Sequence, residues 1–210
     1  MIETQKDKII KLASQMFTTE GIKAVRMDDI ARRAGISKRT LYEMFGDKEE
    51  LIYLAISYHY DRCEEENESI GRQAPNVIIA FLMVIQNVIQ NSDTNWLLHK
   101  TLRRFHQSTY QRIDDERRTK HQASLKIGLE YGVEMGEINP VANVDLAITM
   151  IDTIVTSVTM ESHQHPLPDG ISPQKALYEM MIYFLRGIAT PKGIEIIDTY
   201  TNDENNKIEL

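Results

Sequence analysis

Proline and glycine divide the 210-residue chain into segments whose apolar residues recur every three to four positions. That spacing places apolar side chains on one face of an α-helix, whereas a half-buried strand would alternate apolar and polar residues. No segment shows a convincing alternation, and the helix breakers fall mainly between the periodic segments. The sequence therefore predicts an all-α fold of about nine helices.

The composition limits the class of protein further. A chain of 210 residues with 42% hydrophobic and 26% charged residues can bury one large core or two smaller ones. The single cysteine, Cys63, excludes an internal disulfide framework and is typical of a reducing compartment. The first residues resemble no signal peptide, and no apolar run reaches membrane-spanning length. These features predict a soluble, cytoplasmic protein with no membrane partner.

Charge is distributed unevenly along the chain, whose net charge is −7. The first 50 residues hold ten Lys and Arg against nine Asp and Glu, and the other 160 hold 14 against 22. An acidic total disfavours a nonspecific nucleic-acid coat but allows one focused cationic surface. Any contact with nucleic acid must therefore be a local feature.

Residues 27–34 and 38–45 predict two short helices joined by a tight turn at Gly35-Ile36-Ser37. Gly35 suits the end of the first helix, and Ser37 suits the N-cap of the second. Helices joined in this way form a helix-turn-helix, whose second helix lies in the major groove in proteins that bind DNA. The apolar side chains that can face inward against the preceding helix are Ile30, Ala34, Ile36, Leu41 and Phe45.

The outward side of the second helix carries cations at an unfavourable place. Lys38 and Arg39 stand at its N-terminus, where the helix dipole already has its positive end, so an anion is expected to neutralise them. Thr40, Tyr42 and Glu43 lie on the same side. Lys38, Thr40 and Tyr42 can reach phosphates, and Arg39 and Lys38 can reach base edges. The alternative, a three-helix bundle with a solvated charged face and no DNA partner, stays open on this geometry alone.

The stretch GIKAVRMDDIARRAGISKRTLYEMFGDKEELI, within residues 9–56, resembles the N-terminal signature of the TetR/AcrR family of transcriptional regulators. The positions in family register are Gly21, Ile30, Ala31, Ala34, Gly35, Ser37, Thr40, Leu41, Tyr42, Phe45 and Lys48. A shorter stretch, YFLRGIA at 183–189, resembles the last helix of such proteins. The resemblance implies a bacterial DNA-binding regulator, namely a homodimeric repressor released from a palindromic operator by a small-molecule effector.

In the resembling family the third helix recognises the operator, and the lysine that opens the fourth helix contacts a phosphate. Carried over position by position, the resemblance implies DNA contacts from Arg26, Ser37, Lys38, Arg39, Thr40, Tyr42 and Lys48. Arg26 departs from the family pattern, because Ser or Thr often precedes the second helix and caps it. An arginine cannot cap a helix but can pair with a phosphate, so Arg26 is assigned a phosphate contact.

The last two predicted helices carry wide apolar faces. These faces exceed what one core requires, which favours a four-helix interface between two copies of the chain. The residues expected in that interface are Ala147, Ile151, Ile154, Val155, Val158, Leu177, Met181, Phe184 and Leu185. The alternative is that all of them form intramolecular core. The family resemblance, in which the last two helices make such a bundle, favours the homodimer.

The middle helices combine apolar walls with a few polar side chains, a lining that suits a small amphipathic molecule. The candidate effector residues are Phe81, Ile85, Trp96, His99, Arg103, Tyr110, His121, Met150 and Thr153. Taken singly, each is equally typical of core packing. In the resembling family a ligand held there changes the separation of the two recognition helices and releases DNA. The sequence does not identify that effector.

No catalytic or metal-binding motif is recognisable in the sequence. His59 and Cys63 are spaced i, i+4, and His163 and His165 form a second small group, but two ligands are too few for a closed zinc site. A Gly-rich phosphate loop, a nucleophile elbow and a His-Glu-x-x-His motif are all missing. The sequence predicts a protein that is not an enzyme and uses no cofactor or metal.

Together these features predict three parts of the chain. Residues 1–46 form a helix-turn-helix DNA-binding domain, residues 47–190 a helical effector-binding and dimerisation domain, and residues 191–210 a loosely ordered tail. The competing hypothesis is a helical small-molecule-binding or catalytic protein whose N-terminal bundle does not bind DNA. The feature that separates the two hypotheses is the outward set Lys38, Arg39, Tyr42 and Lys48. A protein without a DNA partner has no reason to place these four side chains on one surface.

Overall fold

A computed structural model of the chain describes residues 4–159 and 167–206. Within these ranges it contains ten α-helices and a 3₁₀ helix at Glu204–Asn206. The helices are α1 (Gln5–Glu20), α2 (Met27–Ala34), α3 (Lys38–Phe45), α4 (Lys48–Gln73), α5 (Val77–Gln90), α6 (Ser92–Phe105), α7 (Gln107–Glu134), α8 (Val144–Thr159), α9 (Pro173–Ile188) and α10 (Pro191–Asn202). The all-α prediction is confirmed. No single helix of the described ranges is long and apolar enough to cross a bilayer.

Local side-chain bonds set the starts of several helices. Thr4 Oγ1 accepts from the backbone N–H of Asp7 at 3.2 Å, and the Asp7 carboxylate accepts from the backbone N–H of Thr4 at 3.0 Å. This capping box begins α1. At α5, Asn76 Oδ1 caps the helix by accepting from the backbone N–H of Ile79 at 2.9 Å. The helix therefore begins at Val77 rather than at the proline two residues earlier.

The described helices form two compact units. The first contains the residues up to Glu66 together with Asp93–Arg117, and the second contains Asn67–Ser92 together with the residues from Arg118 onward. The long helices α4 and α7 each contribute to both units. This grouping follows packing and differs from the predicted boundaries at 46/47 and 190/191. A division by function, into DNA-binding and effector-binding parts, stays a prediction.

The first unit has one apolar core that includes the helix-turn-helix. Phe17 of α1, Ile30 of α2 and Leu41 of α3 are fully buried in it. The same cluster takes in Ile56 of α4 and Leu102 of α6. Burial of one such side chain stabilises the fold by about 2 kcal/mol. The short helices α2 and α3 are therefore held by the packing of the whole unit rather than by their own helix propensity.

The second unit shows that the predicted loose tail is partly a helix. Residues 191–202 form α10, which packs against α5 and α9. Ile197 is fully buried, and the Tyr200 hydroxyl donates to Gln86 Oε1 of α5 at 2.8 Å. Arg186 of α9 forms an ion pair with Asp198. The prediction of a loosely ordered tail is wrong for these twelve residues, because their apolar side chains have a surface to cover.

The turn after α7 connects three parts of the second unit. The buried carboxylate of Glu137 accepts from the backbone N–H groups of Val77 and Ile78, at 3.0 and 3.2 Å, where α5 begins. The backbone carbonyl of Glu137 accepts from the N–H of Thr190, between α9 and α10, at 3.0 Å. Glu137 thus accepts from the first two N–H groups of α5, beside the Asn76 cap, and anchors the C-terminal helices.

Candidate nucleic-acid interface

The turn between α2 and α3 depends on a glycine. Gly35 has φ 68° and ψ 28°, the left-handed conformation that glycine adopts without strain. Its N–H donates to the carbonyl of Arg32 at 3.3 Å, and the N–H of Ile36 donates to the carbonyl of Ala31 at 3.0 Å. This Schellman-type end stops α2 and directs the chain into α3, as the sequence predicts.

Ser37 and Thr40 fix the start of α3. Ser37 Oγ accepts from the backbone N–H of Thr40 at 3.0 Å and lies 2.8 Å from Thr40 Oγ1. Ser37 therefore caps the helix, and its hydroxyl is also in contact with that of Thr40. Because only one hydroxyl donates within this pair, the other O–H is available to a phosphate oxygen.

Helix α3 separates an apolar face from a charged one. Leu41 is fully buried and Phe45 nearly so, which confirms their predicted inward orientation. On the opposite side, the side chains of Arg39 and Lys38 are 88% and 58% exposed, and Tyr42 is 40% exposed. We call Lys38, Arg39, Tyr42 and Glu43 the outward face of α3. The buried residues hold this face in a fixed orientation toward solvent.

Both cations of the outward face have carboxylate partners in the free protein. Lys38 Nζ lies 2.8 Å from Asp28 Oδ1 of α2, and Arg39 Nε lies 2.8 Å from Glu43 Oε1. The hydrogen bond with Asp28 raises the pKa of Lys38. Exposed pairs of this kind are weak, so phosphate oxygens can replace the carboxylates. The i, i+4 spacing makes the Arg39–Glu43 pair foreseeable, whereas the Asp28–Lys38 pair depends on how two helices cross.

Arg26 stands at the N-cap of α2 without capping it through its side chain. Its backbone N–H donates to the Asp29 carboxylate at 3.2 Å, and that carboxylate also accepts from Arg32 at 2.7 Å. The Arg26 residue is exposed. A phosphate can therefore reach its guanidinium, and the contact assigned from the sequence stays a prediction.

Lys48 has a role in the fold that the sequence does not predict. Its Nζ donates to the backbone carbonyls of Ile22 and Val25, at 2.9 and 2.6 Å. Partial burial lowers the pKa of this lysine. Lys48 therefore holds the α1–α2 connection that leads to Arg26. Two of its three N–H groups are used in this way, so one is left for the phosphate contact that the family resemblance implies.

Replacing Lys48 with Met is expected to lower the free energy of unfolding by about 2 kcal/mol, because two carbonyls of buried residues lose a charged donor. Lys11→Met, at an exposed position of α1, is the control and should change stability by less than about 0.5 kcal/mol. Urea unfolding of both variants measures the difference. Equal stabilities would show that the bonds to Ile22 and Val25 contribute nothing.

Comparison with known proteins identifies the N-terminal part of the chain. Residues 9–53 match the family model described as bacterial regulatory proteins, tetR family. This match contains the outward face of α3, the turn at Gly35 and the Lys48 contacts. Residues 9–53 are a DNA-binding domain of the tetR family. The chain is a DNA-binding transcriptional regulator, and the predicted resemblance is confirmed for this part.

The relatives match this chain over different lengths. The HTH-type transcriptional repressor KstR2 of Mycobacterium tuberculosis is 26% identical over 200 residues, 92% of this chain and 96% of KstR2. The HTH-type transcriptional regulator HbdR of Aromatoleum is 30% identical over 66 residues, and these span only 31% of this chain and 29% of HbdR. The crystal structure of AibR in complex with isovaleryl coenzyme A and operator DNA has a TM-score of 0.54 at 18% identity, covering 84% of this chain and 96% of AibR. The last likeness concerns the fold alone.

The residues predicted to bind an effector are divided between the two compact units. Those in the first unit are Trp96, His99, Arg103 and Tyr110. Those in the second unit are Phe81, Ile85, His121, Met150 and Thr153. Arg103, His121, Met150 and Thr153 are exposed, and the other five are half-buried. A shared effector site for the nine residues stays a prediction.

Two of these residues meet within the first unit. The Tyr110 hydroxyl lies 3.0 Å from His99 Nε2. The two rings pack edge to face, with 4.9 Å between their centroids. Burial lowers the pKa of His99, and the nearby Asp114 opposes this effect. The neutral imidazole is therefore the form that the fold favours.

The lowered pKa of His99 predicts a loss of stability in acid. Above its ordinary pKa of 6.5, His99 is neutral in both states and adds no pH dependence. As the pH falls below this value, the unfolded chain takes up a proton that the folded chain accepts only at lower pH, so stability decreases. His99→Gln should reduce that decrease between about pH 7.5 and about pH 5.5 in urea unfolding. An identical decrease in the variant would contradict the prediction.

The apolar stripes of α8 and α9 face the interior of one protomer. The residues predicted for the dimer interface that are buried inside the single chain are Ala147, Ile151, Val158, Leu177, Met181, Phe184 and Leu185. Ile154 and Val155 are half-buried. Buried side chains offer no contact area to a second copy, so the buried set corresponds to the intramolecular alternative. The apolar side chains that these two helices leave exposed are Leu146, Met150 and Tyr183.

Of the two histidine groups considered from the sequence, only the one that contains His59 and Cys63 lies in the described residues. Cys63 Sγ lies 3.8 Å from His59 Nε2, which lies 2.7 Å from Asn95 Oδ1. Burial raises the pKa of the Cys63 thiol. No group of three His, Cys, Asp or Glu side chains in the described residues could hold a metal ion. His163 and His165 lie outside those residues.

Proposed function

We propose that this protein is a ligand-responsive repressor that binds a palindromic operator as a homodimer and leaves it when a small molecule binds. The observation that carries the proposal is the outward face of α3, which stands opposite the buried Leu41 and Phe45. An exposed cationic helix face anchored by a core is the arrangement that a major groove accepts. Such a regulator acts in the cytoplasm and catalyses no reaction.

In this proposal α3 enters the major groove and Arg39 contacts a base. Arginine binds guanine O6 and N7 through two parallel hydrogen bonds, and its side chain is the most exposed of the face. Lys38, Tyr42 and Arg26 bind phosphates on the flanking strands. Ser37 and Thr40 add a hydroxyl contact beside the helix cap, and Lys48 adds its remaining N–H.

The dimer places two α3 helices against two half-sites. Half-sites one helical turn apart require about 34 Å between the recognition helices, or a multiple of it. The surface proposed for the second copy is formed by the outer sides of α8 and α9, where Leu146, Met150 and Tyr183 are exposed. A two-fold axis through this surface gives a four-helix contact of the kind expected from the sequence.

The effector is proposed to bind residues 47–190 and to favour the conformation that does not fit the operator. A ligand that moves the population from 1:99 to 99:1 must prefer one conformation by about 5.5 kcal/mol. KstR2 is described as a ketosteroid transcriptional regulator, and AibR is seen with isovaleryl coenzyme A. These names direct the first screen toward ketosteroids and acyl coenzyme A thioesters, titrated into the protein–operator complex with release of labelled duplex as the signal.

Replacing Arg39 with Ala tests the DNA half of the proposal. The variant should bind the selected operator more weakly by about 1–3 kcal/mol and lose its preference at one base position. Arg62→Ala removes the same charge from α4, where Arg62 pairs with Glu65, and should keep the preference. Equilibrium binding to the operator and to singly substituted duplexes measures both effects. Full affinity and full selectivity in Arg39→Ala would exclude Arg39 from recognition.

A further inference from the structure

Glu43 is an acidic residue on a surface that has to approach phosphates. Its side chain is 59% exposed and lies one helical turn after Arg39. A carboxylate there repels the DNA backbone and weakens binding to every sequence. Its presence on the recognition helix therefore calls for a compensating contribution to recognition.

The geometry of the Arg39–Glu43 pair supplies one. Glu43 Oε1 accepts from Arg39 Nε at 2.8 Å, on the side of the guanidinium nearest the chain. The two terminal nitrogens, which form the edge that matches guanine O6 and N7, take no part in that bond. The carboxylate thus restricts the rotation of Arg39 without occupying the edge that contacts a base.

Asp28 provides a comparison on the same surface. It also pairs with a cation of α3, since its Oδ1 lies 2.8 Å from Lys38 Nζ. Asp28 lies on α2, however, and its partner is an ammonium, a point charge with no planar edge to orient. Removing Asp28 therefore changes the charge of the surface without changing how a guanidinium is held.

We propose that Glu43 is a positioning residue that holds Arg39 for recognition of one guanine in each operator half-site. The proposal rests on the proposed function, because it requires that α3 bind a specific duplex. Glu43 lowers the overall affinity for DNA and raises the discrimination between bases at the position that Arg39 contacts. It acts through Arg39 and does not itself need to contact a base.

The test compares Glu43→Ala, Glu43→Gln and Asp28→Ala on the operator selected by the wild-type protein. All three variants lose one negative charge, so each should bind random duplex about two- to fivefold more tightly. Only Glu43→Ala should also lose discrimination, by about tenfold, against duplexes substituted at the Arg39 position. Glu43→Gln keeps an oxygen that accepts from Nε and should keep most of the discrimination. A gain in affinity together with a loss of selectivity is not expected of a merely unstable protein.

The same Glu43 substitution, made in the Arg39→Ala variant, separates the possible outcomes. In Arg39→Ala, adding Glu43→Ala should leave base discrimination unchanged, because the residue it positions is gone. The proposal is overturned if Glu43→Ala keeps the wild-type discrimination, or if it reduces discrimination equally without Arg39. If the wild-type protein selects no duplex, the proposed function fails and this role fails with it. If only the Glu43 effects are missing, operator binding stands and the positioning role alone is excluded.

Discussion

Gly193→Ala is expected to lower the free energy of unfolding by about 3 kcal/mol. A Cβ atom at this position of α10 would lie 2.2 Å from the backbone carbonyl oxygen of Glu137 and 3.0 Å from Ala189 Cβ. The carbonyl cannot move away freely, because it accepts from the N–H of Thr190. The helix or the turn must therefore shift, and the contacts of α10 with α5 and α9 weaken.

Gly187→Ala is the matched control for this substitution. Gly187 is exposed near the end of α9, and a Cβ there meets no atom within 4 Å. In a helix interior, alanine is favoured over glycine by about 0.5–1 kcal/mol, so the control should be slightly stabilising. Guanidinium unfolding of the two variants should move in opposite directions. Equal midpoints would contradict the close approach of α10 to the turn after α7.

Glu137→Ala is expected to destabilise the protein by about 3 kcal/mol, because two backbone donors lose their acceptor. Glu137 is 3% exposed, and the N–H groups that its carboxylate accepts from belong to the buried residues Val77 and Ile78. Water has little access to those groups, so it cannot replace the lost bonds. The first turn of α5 should become the least protected part of that helix in hydrogen exchange.

Glu134→Ala is the control, since Glu134 is exposed in the last turn of α7 and three residues away. That variant should stay within about 0.5 kcal/mol of the wild-type protein. The comparison keeps the lost charge constant, and the two carboxylates differ in burial and in partners, which at Glu137 are the two N–H groups and Lys192 Nζ at 3.9 Å. If both variants unfold at the same denaturant concentration, the cap of α5 by Glu137 has no energetic importance.

The helix-turn-helix could be predicted because its signals are local. Gly35 and Ser37 act on their own neighbours in the chain, and the inward set including Leu41 follows the helical period. The contacts of Lys48 could not be predicted, because Ile22 and Val25 precede it by 26 and 23 positions. A family resemblance transfers the phosphate contact of such a lysine but does not reveal which carbonyls it also binds.

The C-terminal helix was missed although its start is visible in the sequence. The predicted tail begins at residue 191, whereas Thr190 Oγ1 caps α10 by accepting from the N–H of Gly193 at 3.2 Å. Thr at the N-cap and Pro at the first helical position are a recognised start signal. The polar composition of the last residues nevertheless led to the prediction of a loosely ordered tail. The surface that α10 covers, and the close approach that requires Gly193, exist only in the folded chain.

Apolar periodicity in α8 and α9 predicted burial correctly but could not say what covers each face. A stripe that packs inside one protomer and a stripe that packs against a second copy have the same spacing. Within the single chain Leu177 and Leu185 are buried and Tyr183 is 65% exposed, and the surface that meets a second copy stays a proposal. Likewise, no pattern in the sequence indicates whether the nine candidate effector residues line one site.

The measurement that tests the central claim most directly is selection of duplexes by the wild-type protein from a random pool at near-physiological salt. We expect the wild-type protein to enrich a two-fold symmetric site, and Arg39→Ala to lose the preference at one base position of that site. Folding of the protein and its oligomeric state are checked in the same buffer. A folded, dimeric protein that enriches no sequence would contradict the assignment of α3 as a recognition helix.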